Sequence, residues 1–195
     1  MTKLLTYDEH DLGLSWVIDE PMQRTSHALV DDGRVWLVDP VDVPEAVERA
    51  RALGEPAAVL QLLDRHPRAC AELAERFGVP HLRLPDAVPD SPFEVITVVD
   101  RPKWREKALW WPAARGLVVA EAVGTGPMFG DPAGIHLFLR LLPPGVLRDH
   151  DPEHLLVGHG SGVHGAAAKA ALEHAYRRSR IDLPKTVVKL PFTMR

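Results

Sequence analysis

The stretch LLVGHGSGVHG, residues 155–165, sets one imidazole between two glycines at the end of an apolar run and a second imidazole five residues later. A histidine at such a turn can ligate a metal, line a phosphate cradle or hydrogen-bond the backbone of a tight turn, where flanking glycines ease the bend. A second chemical stretch is LLDRHPRAC, residues 62–70, in which Asp64 and His66 stand two apart and Arg65 and Arg68 flank them. Asp64 and His66 suit a hydrogen-bonded pair, and Asp64 equally suits an ion pair with an arginine, whose charge is permanent. His66 can also orient the helix that starts at Pro67. Cys70 is the only cysteine. Among Ala and Leu neighbours on a helix it reads as a small buried hydrophobe, since a thiolate nucleophile needs a base such as His66 beside it. AVGTGPMFG, residues 122–130, is rich in glycine but lacks the Lys-Ser/Thr ending of a phosphate loop. Trp104, Trp110 and Trp111 read as packing at strand ends, His164 as solvated, and His27 as the remaining histidine best placed near a cleft.

The elements that must hold these residues can be read along the chain. SHALV and RVWLVDP are β-rich runs joined by Asp32-Gly33, a hairpin signal. VPEAVERARALG reads as a helix opened by Pro44 and closed by Gly54, with Ala46, Val47, Ala50 and Leu53 on one face. AAVLQLL is a short buried strand, PRACAELAERFG a second helix and VPHLRLP a strand. FEVITVV, ALWW and GLVVAEAV are three more strands, DPAGIHLFLRLL a helix stopped by Pro143-Pro144, HLLVG a strand and GAAAKAALEHAYRRSR the last helix. IDLPKTVVKLPFTMR reads as an edge strand or a surface segment. The run of strands in mid-chain argues against one doubly wound sheet and for two sheets carrying helices outside them. Without a repeat or linker, the 195 residues form one domain, 1–195.

Composition narrows the function classes. Hydrophobic residues make up 46% and charged residues 26%, the balance of a folded globular chain. A net charge of −4 argues against nucleic-acid binding, one cysteine excludes an internal disulfide and a multi-cysteine zinc site, and no run is long and apolar enough for a signal peptide or a membrane span. The expectation is a cytoplasmic, prokaryotic protein.

HALVDDGRVWLVDP, VLQLLDRHPRACAELAERFGVPH, GLVVAEAVGTGPMF and LLVGHGSGVHGAAAKAALEHA together resemble the metallo-β-lactamase-fold hydrolases in order and spacing, over about residues 26–176. The resemblance implies an α/β fold, a four-layer αββα sandwich with a metal site at the sheet edges. It also implies a hairpin ending in an Asp, then a strand that runs into a His-x-His-x-Asp-His motif and a helix, a third His, a bridging carboxylate and a final Gly-His-Gly. In this chain Asp64 takes the first position of that motif, His66 the second, Arg68 the third and Ala69 the last; a slip of one residue would offer Cys70. Residues 82–135 contain no histidine, and Arg101, Lys103, Arg105 and Lys107 stand there instead. Glu121 takes the place of the bridging carboxylate and His159 that of the final His. The motif is degenerate. His66, His159, Asp64 and Glu121 are the ligand set the resemblance leaves, enough for one zinc, manganese or iron ion and too few for a dinuclear centre. The function it implies is a divergent member of unknown substrate, with residual mononuclear metal-dependent hydrolysis. The alternative is a non-enzymatic binding or scaffold protein whose former cleft, with Arg65, Arg68, Arg101, Lys103 and Arg105, takes an anionic small molecule, or whose surface forms a homodimer.

Overall fold

The computed structural model describes residues 2–182. Strand β1 (Leu4–His10) pairs antiparallel with β2 (Gly13–Ile18), β2 with β3 (Thr25–Asp31), and β3 with β4 (Arg34–Val38). The β3–β4 turn uses Asp32 and Gly33 at φ 45° and 72°, the positive-φ pair expected of a tight hairpin. Helix α1 (Pro44–Arg51) then crosses over to β5 (Glu55–Gln61), parallel to β4, and α2 (Cys70–Phe77) to β6 (His81–Arg83), parallel to β5. The second sheet runs β7 (Glu94–Arg101), β8 (Trp104–Trp111) and β9 (Gly116–Val119), all antiparallel neighbours. β12 (His154–Val157) joins parallel to β9, and β13 (Val163–His164) closes the edge. Helix α3 (Ala166–Arg178) packs on this side with its buried face Ala168, Ala171, Leu172 and Ala175.

Two-residue periodicity assigns the faces of the first sheet. Leu29, Trp36, Val38 and Leu60 point to the core between the sheets, while Ala28, Val35, Leu37 and Val59 point to the layer under α1 and α2. Into that outer layer α1 sends Ala46, Val47 and Ala50, and α2 sends Cys70, Leu73 and Ala74. Between the sheets, Trp36 meets Phe93 edge-on at 5.2 Å and Phe93 meets Trp111 at 5.4 Å, the T-shaped geometry that aromatic quadrupoles favour. The architecture is the αββα sandwich that the resemblance implied.

Two departures have physical causes. DPAGIHLFLRLL is not a helix: β11 (Gly134–Ile135) pairs with β10 (Val123–Gly124), and only Leu137–Leu139 form a 3₁₀ turn. Arg140 holds the segment by donating from Nε to the Ile135 carbonyl and from Nη2 to the Phe129 carbonyl, at 2.8 and 2.7 Å. Phe138, Leu141 and Leu142 are exposed, so the apolar pattern marked no buried helical face. The amino-terminal residues, for which the sequence suggested no element, form the β1–β2 hairpin at the sheet edge. The expected edge strand at the carboxyl terminus lies almost wholly outside the described residues, and no helix among them is long and apolar enough to cross a membrane.

Trp36 is 1% exposed at the centre of the inter-sheet aromatic contact. Trp36→Ala is expected to lower stability by about 3–5 kcal/mol, read as a lower denaturation midpoint in urea.

Candidate active site

Four chain segments leave the ends of strands at one rim. Asp39 follows β4, Leu62 to His66 follow β5, Glu121 follows β9, and His159 follows β12. Around them lies an open cleft of about 440 Å³, lined among others by Met22, Arg24, Arg65, His66, Glu121 and His159.

His159 is fixed by its glycines. A Cβ at Gly158 would stand 2.0 Å from the Ala120 carbonyl oxygen, and one at Gly160 2.3 Å from the Gly126 amide, at a φ of +92°. The strands can approach this closely only with glycine at both places. The amides of Thr125 and Gly126 both donate to the His159 carbonyl at 3.0 Å. The ring therefore leaves a rigid turn, and its Nδ1 lies 3.0 Å from the Met22 carbonyl.

His66 is held from the other sheet. Its Nδ1 stands 3.3 Å from Asp39 Oδ2, while Asp39 Oδ1 accepts the Leu62 amide at 3.0 Å. Both rings thus present Nδ1 to a group that only accepts, so each neutral ring carries its proton there. The two Nε2 atoms then face each other as lone pairs, 3.4 Å apart. Burial foremost, then the Arg68 charge, holds both imidazoles below their ordinary range, His159 at about 4.

Glu121 completes the cleft. Its Oε2 takes the Arg65 guanidinium at 2.9 Å and lies 4.0 Å from His66 Nε2; its Oε1 is 3.4 Å from His136 Nε2. Burial pushes this carboxyl up, but His66, His136, Arg65 and His159 outweigh it and leave it below the usual range. Arg65 lies over the Trp104 ring at 4.2 Å. Beneath, the fully buried Glu106 accepts the amides of Glu121 and Ala122 through Oε1, both at 2.8 Å, and Trp104 Nε1 through Oε2 at 3.0 Å. That burial pushes Glu106 up to about 7.

Arg68 sits where the sequence resemblance placed an aspartate. Its Nη1 donates to the carbonyls of Thr25 and Asp39 at 2.5 and 2.7 Å, and its Nη2 to that of Gly158 at 3.1 Å. These three carbonyls lie at the rim ends of β3, β4 and β12. The guanidinium thus ties both sheets together beside the two imidazoles.

The structure brings His66, His159 and Glu121 together and leaves Asp64 out. Asp64 Oδ2 accepts the Arg105 amide at 2.9 Å, fastening the end of β5 to β8, so the carboxylate beside His66 is Asp39 and not Asp64. Nor does Asp64 pair with an arginine side chain; Arg65 turns to Glu121 and Arg68 to the backbone. His164 is neither in the cleft nor simply solvated: it pairs with Asp8 and His154. His27 is buried behind the rim, its Nδ1 2.7 Å from Ser15 Oγ. Cys70 is buried and its thiol is pushed up by burial, as a packing residue requires. Sequence reasoning missed Asp39 and His136 as site residues. The signal for Asp39 was present, an Asp-Pro ending a buried strand; His136 sits inside the segment mistaken for a helix. As they stand, no three His, Cys, Asp or Glu side chains among the described residues form a group that could hold a metal ion.

Neither a protein-family model nor a curated protein matches the chain. Solved structures do. DIM-1 metallo-β-lactamase superposes with a TM-score of 0.60 at 13% identity, over 92% of this chain and 98% of its own. The apo chemotaxis sensor ODP from T. denticola gives 0.56 at 13%, over 93% and 98%. TTHA1623, solved in a di-iron-bound form, gives 0.53 at 18%, over 77% and 94%. At these identities the likeness is one of fold.

Arg68→Lys is expected to cost about 1.5–3 kcal/mol in chemical denaturation, because an ammonium cannot reproduce a planar fork to three carbonyls. His159 binds its proton later in the folded chain, at about 4, than in the unfolded one, ordinarily near 6.5. Its contribution to stability is therefore full above about 6.5 and lost as pH falls toward 4. His159→Gln is expected to flatten the stability profile across that window, measured by denaturation at a series of pH values; an equally steep profile would contradict the assignment.

Proposed function

We propose that this chain, which has the metallo-β-lactamase fold, is a divergent metal-dependent hydrolase working with a single ion in place of a dinuclear centre. One observation supports it above the rest: the facing Nε2 lone pairs of His66 and His159, 3.4 Å apart, each with Nδ1 committed to an acceptor. Two such lone pairs repel unless an electrophile lies between them. A proton is disfavoured by burial and by Arg68, which leaves a zinc, manganese or iron ion as the partner suited to two imidazoles and a carboxylate.

In this reading His66 and His159 would hold the ion through Nε2, and Glu121 would complete the set by turning from Arg65. When bound, the ion would supply Lewis acidity for hydrolysis near neutral pH. Asp39 and the Met22 carbonyl keep both rings in the Nε2-accepting tautomer, the outer contacts that orient metal-binding imidazoles. Glu106 fixes the backbone that presents Glu121. Arg65, exposed at the rim, is freed to meet an anionic group of the substrate. Arg68 restricts the cleft to one ion, because its fixed cation stands beside the pair.

Elemental analysis of protein purified without a metal-binding tag tests this. About one zinc, manganese or iron ion per chain is expected to be lost, relative to the unaltered protein, on His66→Ala or His159→Ala and kept on Asp64→Ala. Unaltered protein that holds no more metal than the His66→Ala/His159→Ala protein, and whose melting responds no more to added Zn²⁺ or Mn²⁺, would overturn it. Retention of an anionic small molecule by such protein would favour the non-enzymatic reading, in which Arg24 or Arg65, both lining the cleft, would exchange its carboxylate partner for the ligand.

A further inference from the structure

A second group of imidazoles lies at the other end of β12. His154 opens that strand and His159 lies beyond its far end, so the two groups are on the order of 16 Å apart along extended chain. His164 ends β13, and His10 ends β1 of the other sheet. The ring centres stand 5.1 Å apart for His154–His164, 5.2 Å for His10–His164 and 6.2 Å for His10–His154. Three imidazoles bound to one tetrahedral ion at about 2.0–2.1 Å have their centres about 5 Å apart.

The partners assign the nitrogens. Asp8 can only accept, and His164 Nε2 lies 3.1 and 3.3 Å from its oxygens, so that nitrogen carries the proton. The Gly162 amide holds the same carboxylate at 3.2 Å. His164 Nδ1 is then a lone pair, and it faces His154 Nδ1 at 2.9 Å. His10 Nε2 lies 2.9 Å from Ser15 Oγ, and its Nδ1 is buried without a hydrogen-bond partner. The Nδ1 atoms are thus the inner atoms of the His154–His164 contact and the unsatisfied atom of His10. Asp8 on His164 and Ser15 on His10 are outer partners of the kind that orient metal-binding rings.

We propose that His10, His154 and His164 bind one divalent transition-metal ion through Nδ1, with Asp8 holding His164. Three imidazoles without thiolate or a carbonyl cage suit Zn²⁺, Ni²⁺ or Cu²⁺ over Mg²⁺ or Ca²⁺. As it stands the group is not closed around an ion: it is open by about 1 Å on the His10–His154 side relative to three imidazoles on one ion, so binding would draw β1 toward β12 and staple one sheet to the other.

The full-length His66→Ala/His159→Ala protein keeps the cleft silent, so the result stands apart from the hydrolase reading. Titration with Cu²⁺ and Zn²⁺ is expected to give one ion per chain, nitrogen hyperfine structure from several imidazoles in the Cu²⁺ electron paramagnetic resonance spectrum, and a melting temperature that rises with Zn²⁺. Adding His164→Ala is expected to weaken binding at least a hundredfold, and adding Asp8→Asn about tenfold. Circular dichroism without metal checks that these variants fold. If one does not, the Cu²⁺ spectrum of the parent decides. No binding, a single-nitrogen spectrum, or affinity unchanged in folded His10→Ala and His164→Ala variants would overturn the proposal.

Discussion

The Arg68 guanidinium, shared among the carbonyls of Thr25, Asp39 and Gly158, is the contact on which the rim depends. Each carbonyl lies at a strand end, where backbone acceptors must be satisfied if water is excluded. The guanidinium reaches all three at once, sharing the Gly158 carbonyl with the Thr25 amide, and joins the two sheets. The same charge sets the electrostatics of the cleft: it opposes protonation of His66 and His159 and opposes any second cation. Structural cohesion and restricted chemistry thus have one source, and neither can be altered without the other.

The remaining site is assembled in layers around that contact. Glu106, buried under the β9 end, fixes the Glu121 backbone; Asp39 and Met22 fix the rings; Phe129 stacks on His159 at 5.7 Å and meets His136 at 5.8 Å. Charges in the cleft occur as compensated pairs, Arg24 with Glu20 and Arg65 with Glu121. Of these, the Arg65–Glu121 pair is the one that covers a carboxylate facing the two imidazoles, since Glu121 also lies near His66 and His136.

Much of the frame was legible in the sequence because it is written in local terms. The Asp32-Gly33 turn, the Pro44 start of α1 and the unbroken apolar run Val35 to Val38 each act within a few residues. The order of motifs put His66, His159 and Glu121 at the ends of strands, and the structure brings the three together at one rim. Asp64 was misplaced because spacing to His66 cannot say which carboxylate crosses from a neighbouring strand; Asp39 does so from 27 residues away. The segment around His136 was misread because its apolar period resembles a helix face, whereas long-range bonds from Arg140 and pairing with Val123 and Gly124 hold it extended. His164 was illegible for the same reason: its partners Asp8 and His10 lie more than 150 residues earlier, on the other sheet.

The two glycines around His159 carry a consequence for how such a chain can change. Gly158 and Gly160 are demanded by backbone contacts with Ala120 and Gly126, not by anything the imidazole does. Side chains in the cleft can therefore be exchanged one by one while the backbone frame that aims them stays in place. A rim of this kind retains an address for chemistry independent of the chemistry delivered there, and so remains open to being refitted.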